Sequence, residues 1–109
     1  MSWRDLVIGR NGDSLGGKVL DPSFTITTDF GQPLTFKARD IYWVHFKNPP
    51  QTPQDEIWTA NEDRVRGAIQ GKAVRFKPDG QKPMSIPCTA IHTLILNQVF
   101  SARRGLTSR

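Results

Sequence analysis

Sliding this 109-residue chain against itself by 50 residues aligns positions 5–46 with 55–96 without a gap, and this internal repeat constrains the fold more than any other feature. Identities fall at Asp5/Asp55, Asn11/Asn61, Asp13/Asp63, Gly17/Gly67, Asp29/Asp79, Pro33/Pro83 and Ile41/Ile91. Apolar character is kept at further pairs, among them Val7/Ile57, Val19/Ile69, Phe24/Val74, Ile26/Phe76, Val44/Leu94 and Phe46/Leu96. Turn formers and apolar positions are the residues that specify a fold, so the chain is expected to hold two copies of one small unit. Between them, KNPPQTPQD carries three prolines and predicts a stiff, extended connector. The expected organisation is a first β repeat over residues 1–48, a Pro-rich connector over 49–55, a second β repeat over 56–100 and a basic, disordered tail over 101–109.

Each copy has the pattern of short strands. Phe24 and Ile26 alternate with threonines, and Val74 and Phe76 alternate with Arg75 and Lys77, which marks strands with one buried face. The strands are expected near 5–10, 15–20, 23–28, 33–37 and 40–46, with equivalents 50 residues on. No stretch of ten residues has helical periodicity, and eight prolines with nine glycines argue against a long helix. Asn11, Gly12 and Asp13, matched by Asn61 and Asp63, end the first strand of each copy in a tight turn. Gly17 and Gly67 supply the bend of the second strand, where a residue without Cβ is needed.

The last strand of each copy is apolar on both faces. Strict alternation sends Ile41 and Trp43 one way and Tyr42, Val44 and Phe46 the other, while Ile91 and Ile95 oppose Leu94 and Leu96. Two arrangements satisfy this pattern. Either the copies pack on each other through this strand, or Trp43, Val44, Phe46, Leu94 and Leu96 form an interface for another chain.

The formal charge of +5 comes largely from SARRGLTSR at the end; without its three arginines, residues 1–100 carry 12 basic and 10 acidic side chains, and each half is +1. No phosphate-cradling loop or nucleophile elbow is present. His45, His92 and Cys88 do not make the three or four converging ligands of a metal site, and Asp13, Asp29, Asp63 and Asp79 sit where they serve turns. The chain is therefore expected to be non-enzymatic, with no catalytic residues, cofactor or metal. No run approaches the roughly 18 apolar residues of a membrane span, and the apolar segment after residue 5 is too short for a signal peptide. With a single cysteine, a cytoplasmic location and no membrane partner are the expectation.

The spacing N-G-x-x-L-x-G-x-V, formed by Asn11, Gly12, Leu15, Gly17 and Val19, resembles the first motif of the Sm-like family, which includes the bacterial Hfq proteins. The second copy keeps Asn61, Val65, Gly67 and Ile69, and the Ile41–Val44 and Ile91–Leu94 segments resemble the family's closing I-x-x-V. The resemblance implies a five-stranded, strongly bent barrel, assembly into a ring through edge strands, and RNA binding. The expected fold is all-β: two tandem five-stranded small barrels, or one body built from two pseudo-symmetric halves. Candidate phosphate contacts are Lys37, Arg39, Arg64, Arg66, Arg75, Lys77, Arg103 and Arg104, with Tyr42 as a stacking surface. Arg64 and Arg66 are expected to join Arg75 and Lys77 in one patch across neighbouring strands. Two functions follow: a homo-oligomeric binder of RNA or single-stranded nucleic acid, or a protein-interaction and assembly module that binds no nucleic acid.

Overall fold

The computed structural model describes the backbone of residues 2–100 and the side chains of residues 4–97. The alternating segments form ten strands: β1 (Ser2–Gly9), β2 (Ser14–Val19), β3 (Ser23–Thr28), β4 (Pro33–Lys37), β5 (Ile41–His45), β6 (Asp55–Thr59), β7 (Arg64–Ile69), β8 (Ala73–Pro78), β9 (Met84–Pro87) and β10 (Ile91–Phe100). Single 3-10 turns, Ala38–Asp40 and Cys88–Ala90, precede β5 and β10. All ten strands belong to one antiparallel sheet in the order β4-β3-β7-β6-β5-β10-β1-β2-β8-β9. The all-β expectation holds, as one pseudo-two-fold body.

The order has an internal logic. Numbering the strand types of each copy from one to five, the wing β10-β1-β2-β8-β9 runs 5-1-2-3-4, and so does the wing β5-β6-β7-β3-β4. Each wing takes types one and two from one copy and types three to five from the other. Residues 1–48 and 56–100 are thus units of sequence, each divided between both wings. The wings meet where β5 pairs with β10, in the register Val44 opposite Leu94. Those residues are 50 apart, so the pseudo-two-fold axis passes through that pair.

Exchange forces the curl. β2 and β3 lie six places apart in the sheet, roughly 29 Å if it were flat at about 4.8 Å per strand. Yet only Leu20, Asp21 and Pro22 connect them, and four Cα steps reach roughly 14 Å. The sheet must roll until its wings nearly meet, and the link from β7 to β8 imposes the same on the other side. The amide of Leu20 continues the ladder to the Arg75 carbonyl (2.8 Å), and Gln70 does so to Thr25 (2.8 Å).

The concave face carries the core: Val7, Val19, Phe24, Ile26, Ile41, Val44, Phe46, Ile57, Val74, Phe76, Ile91, Leu94 and Leu96 are all buried. Each such side chain contributes roughly 1.5–3 kcal/mol. Val44, Phe46, Leu94 and Leu96, offered above to another chain, are consumed here because the intramolecular β5–β10 pairing places them at the centre of the protein's own core. Ile41 and Ile91 also join them, against strict alternation. The register jumps from Ile41/Thr59 to Trp43/Trp58 and from Gly9/Ile91 to Ile8/Thr93, so a bulge at Tyr42 and another at His92 each add one residue and reverse the parity.

Two further pairs of repeat identities hold this body together. The buried Asp5 carboxylate accepts the Val19 and Asn97 amides (2.7 and 2.9 Å), and Asp55 accepts those of Ile69 and Lys47 (both 2.7 Å). Each aspartate pins the end of its neighbouring second strand to the exit of a fifth strand. Gly17 and Gly67 mark the closest approaches between copies: a Cβ on Gly17 would lie 2.2 Å from the Lys77 carbonyl oxygen, and one on Gly67 would lie 2.0 Å from that of Thr27. The bend assigned to these glycines is therefore a close crossing of the exchanged strands. The connector also differs from expectation. Asn48 and Thr52 exchange backbone hydrogen bonds (2.7 and 3.1 Å) around a cis Pro49–Pro50 bond, because β5 and β6 are antiparallel neighbours and the chain must turn back between them.

Candidate nucleic-acid interface

On the outer face of the central strands, the cross-strand register aligns Arg64, Trp58, Trp43 and Ile95 in one row and Arg66, Glu56, His45 and Thr93 in the next. Trp43 and Trp58 stack at 4.9 Å with 21° between their planes, and the Arg64 guanidinium lies 5.1 Å from the Trp58 ring. Trp43 meets His45 edge-on at 5.1 Å, and His45 meets His92 at 4.6 Å. The two indoles stack on each other and Arg64 lies over Trp58, so the face that each ring turns to the other is used within the protein. Glu56 accepts from Arg66 Nε at 2.9 Å and pairs with Arg64 at 3.7 Å. Burial pushes the His45 pKa below its ordinary 6.5, with nearby His92 adding to the effect and Glu56 opposing it.

The cations gather elsewhere. β7 neighbours β3 and β6, whereas β8 neighbours β2 and β9, so Arg64 and Arg66 do not form one patch with Arg75 and Lys77. Strand exchange is the reason, since the β7–β8 link crosses between wings. On the other wing Lys77 stands directly opposite Lys18 of β2, with Arg75 two residues along β8; all three are exposed. Like charges opposed across a ladder repel. Among the described residues no ion pair involves these three. Arg4 borders them over Gly16 and is bridged to Asp79, and the nearby Asp21 carboxylate accepts the Arg75 backbone amide (2.9 Å). The pseudo-two-fold equivalents of Lys18, Arg75 and Lys77 are Ala68, Thr25 and Thr27. One wing thus carries three cations outside any ion pair among the described residues, at positions whose equivalents on its twin are neutral.

The remaining candidates are scattered. Lys37 sits on the edge strand β4 opposite Ser23, while Arg39 and the exposed Tyr42 line a cleft of about 530 Å³ with Trp58 and Asn97. Of the proposed interface residues only Trp43 retains surface, half-buried beside Trp58. Arg103 and Arg104 lie outside the described residues. Asn11 builds the expected turn, its Oδ1 accepting the Asp13 amide (3.0 Å), and Gly12 supplies its positive φ of 94°. At the equivalent place Glu62 adopts φ 70°, and Thr59 Oγ1 accepts the Asp63 amide (3.1 Å) in place of the Asn61 side chain. Among the described residues no group of three or more His, Cys, Asp or Glu converges as for a metal ion, and no helix is long and apolar enough to cross a membrane. Burial, with Asp55 and Asp21 nearby, raises the Cys88 pKa and keeps it a thiol.

Sequence reasoning missed Lys18, which falls on an unassigned position between Gly17 and Val19 of the N-G-x-x-L-x-G-x-V spacing. Its signal was the contrast between the copies, Lys18 against Ala68. No protein-family profile, curated protein or solved structure matches the chain.

Proposed function

We propose that this protein is a non-catalytic binder of RNA or single-stranded nucleic acid, with the outer face of β2 and β8 as its phosphate contact. The observation that carries this reading is the opposed pair Lys18/Lys77 beside Arg75, three exposed cations without an acid partner among the described residues. Holding like charges across a ladder costs stability, and an anionic polymer on that face relieves the repulsion. The neutral residues on the twin wing support it further, because a requirement of the fold alone would recur on both sides.

Fluorescence anisotropy with labelled poly-U and poly-A 20-mers tests the reading across a salt series. Binding is expected at low salt with a steep salt dependence. The triple variant Lys18→Gln/Arg75→Gln/Lys77→Gln should lower the slope of log K against log salt by about 2, at roughly 0.7 per single-strand phosphate. Arg66→Gln, whose cation is held by Glu56, should leave the slope unchanged. Absence of low-salt binding, or a triple variant that binds like the wild type, rejects the proposal.

The assembly reading is favoured by one separate feature. β4 and β9 are the free edges of the sheet, and each exposes an apolar side chain, Leu34 or Met84. If these edges join copies of the chain into the expected homo-oligomer, sedimentation should show association that Leu34→Lys and Met84→Lys abolish. A wild type that stays monomeric at high concentration removes this reading.

A further inference from the structure

The pseudo-two-fold axis builds one cleft twice, and the two have diverged. The smaller, about 210 Å³, is lined by residues that all map, except Leu20, onto the lining of the larger, about 700 Å³, when 50 is added or subtracted. In the small cleft Asn97 acts as a stopper: its Nδ2 donates to the carbonyls of Ala38 (2.9 Å) and Ile41 (3.1 Å). In the large cleft the equivalent residue is Lys47, whose longer side chain ends in an ammonium charge in place of the amide. Arg10 and Lys72 line the same cleft, where the twin positions are Ala60 and Pro22. Arg10 is anchored by its Nη2 on the Lys47 carbonyl oxygen, and its Nε is buried with no hydrogen-bond partner. Such a donor, like the buried Trp58 Nε1 elsewhere in the protein, is open to water or to the acceptor atom of a ligand.

We infer that the large cleft is a binding site for a small organic anion, an apolar body ending in a carboxylate, sulfonate or phosphate held by Arg10, Lys47 and Lys72. Phe46, Pro49 and Ile69 supply the apolar wall, and the volume falls in the range of small-molecule sites. One acid, Asp55, lies in the lining, but both of its oxygens are occupied by the amides of Lys47 and Ile69. The lining of the large cleft holds three cations and one acid, against two cations, Lys18 and Arg39, and two acids, Asp5 and Asp21, in the small one, so the large cleft is the more positive of the two. The site is distinct from the nucleic-acid face, since none of Lys18, Arg75 and Lys77 lines it.

The test uses the full chain and a pair of fluorescent probes: 1-anilinonaphthalene-8-sulfonate, with an apolar body and one anionic group, and the uncharged N-phenyl-1-naphthylamine. The sulfonate is expected to bind at a single saturable site at least roughly ten-fold more tightly than the neutral probe, as removing a hydrogen-bonded charge predicts. In amide-resolved NMR of the wild type, its binding should shift Ala68, Ile69 and Gly71. Lys47→Asn, which installs the stopper of the twin cleft, and Arg10→Gln should each weaken it by a similar factor, with native circular dichroism retained. The triple variant of the cationic face should bind it as the wild type does. Equal affinity for the two probes, or amide shifts confined to other residues, overturns the inference even if a variant fails to fold; so does wild-type affinity in folded Lys47→Asn and Arg10→Gln.

Discussion

Gly16 and Gly17 are neighbours in one strand, yet replacing them with alanine should have very different costs. At Gly17 the new Cβ would meet the Lys77 carbonyl oxygen at 2.2 Å, the Pro78 Cα at 2.8 Å and the Phe76 ring at 2.9 Å. The first contact is 1.2 Å short of the 3.4 Å at which ordinary van der Waals contact begins, and its atom belongs to a backbone. β8 cannot swing aside alone, because the amides of Leu20 and Asp79 tie β2 and β8 at both ends of their short ladder (2.8 and 3.1 Å). Relief therefore means losing about two ladder hydrogen bonds at roughly 1 kcal/mol each and loosening the fully buried Phe76. Against this, alanine stiffens the unfolded chain by about 0.4–1 kcal/mol. The net expectation is a destabilisation of about 2–4 kcal/mol for Gly17→Ala and likewise for Gly67→Ala, a large part of the 5–15 kcal/mol typical of a folded domain. At Gly16 the Cβ would meet only the far end of the Arg4 side chain, which can move, so Gly16→Ala should cost no more than about 1 kcal/mol for a disturbed surface ion pair. Urea unfolding followed by circular dichroism measures all three. If Gly17→Ala and Gly67→Ala unfold within 1 kcal/mol of the wild type, the strands of the two copies do not cross as described.

Other consequences are equally direct. Glu62 occupies a positive-φ position that Gly12 fills in the first copy, so Glu62→Gly should raise stability by about 0.5–1 kcal/mol, read as a higher melting temperature. Asp5→Asn and Asp55→Asn each set an amide donor against a buried backbone N–H and should cost about 1–3 kcal/mol in urea unfolding. The folded-state pKa of His45 lies below its unfolded value of 6.5, so the unfolded state takes up the proton more readily. Stability should therefore fall as pH drops below 6.5 toward the folded-state value, and His45→Gln should flatten that part of the melting-temperature profile.

Much of this was legible in the chain itself. A repeat offset of 50, strands of period two and Asn-Gly-Asp turns dictate the all-β class and the strand positions, because pleat and turn geometry act over a few residues and leave a local pattern. The bulges at Tyr42 and His92 were not legible, since one inserted residue leaves no composition signal yet reverses the face of Ile41 and Ile91. Asp5 and Asp55 stood out as identities, but their partners lie up to 92 residues away. Which strand lies beside which was decided only by the tertiary structure. Three residues between β2 and β3 permit either a hairpin or a crossing, and the choice rests on burial summed over both copies. That choice places Lys18 opposite Lys77, separates them from Arg64 and Arg66, sends Val44 and Leu94 into the core and leaves one of two equivalent clefts open, because charge and cavity shape depend on neighbours that the sequence sets far apart.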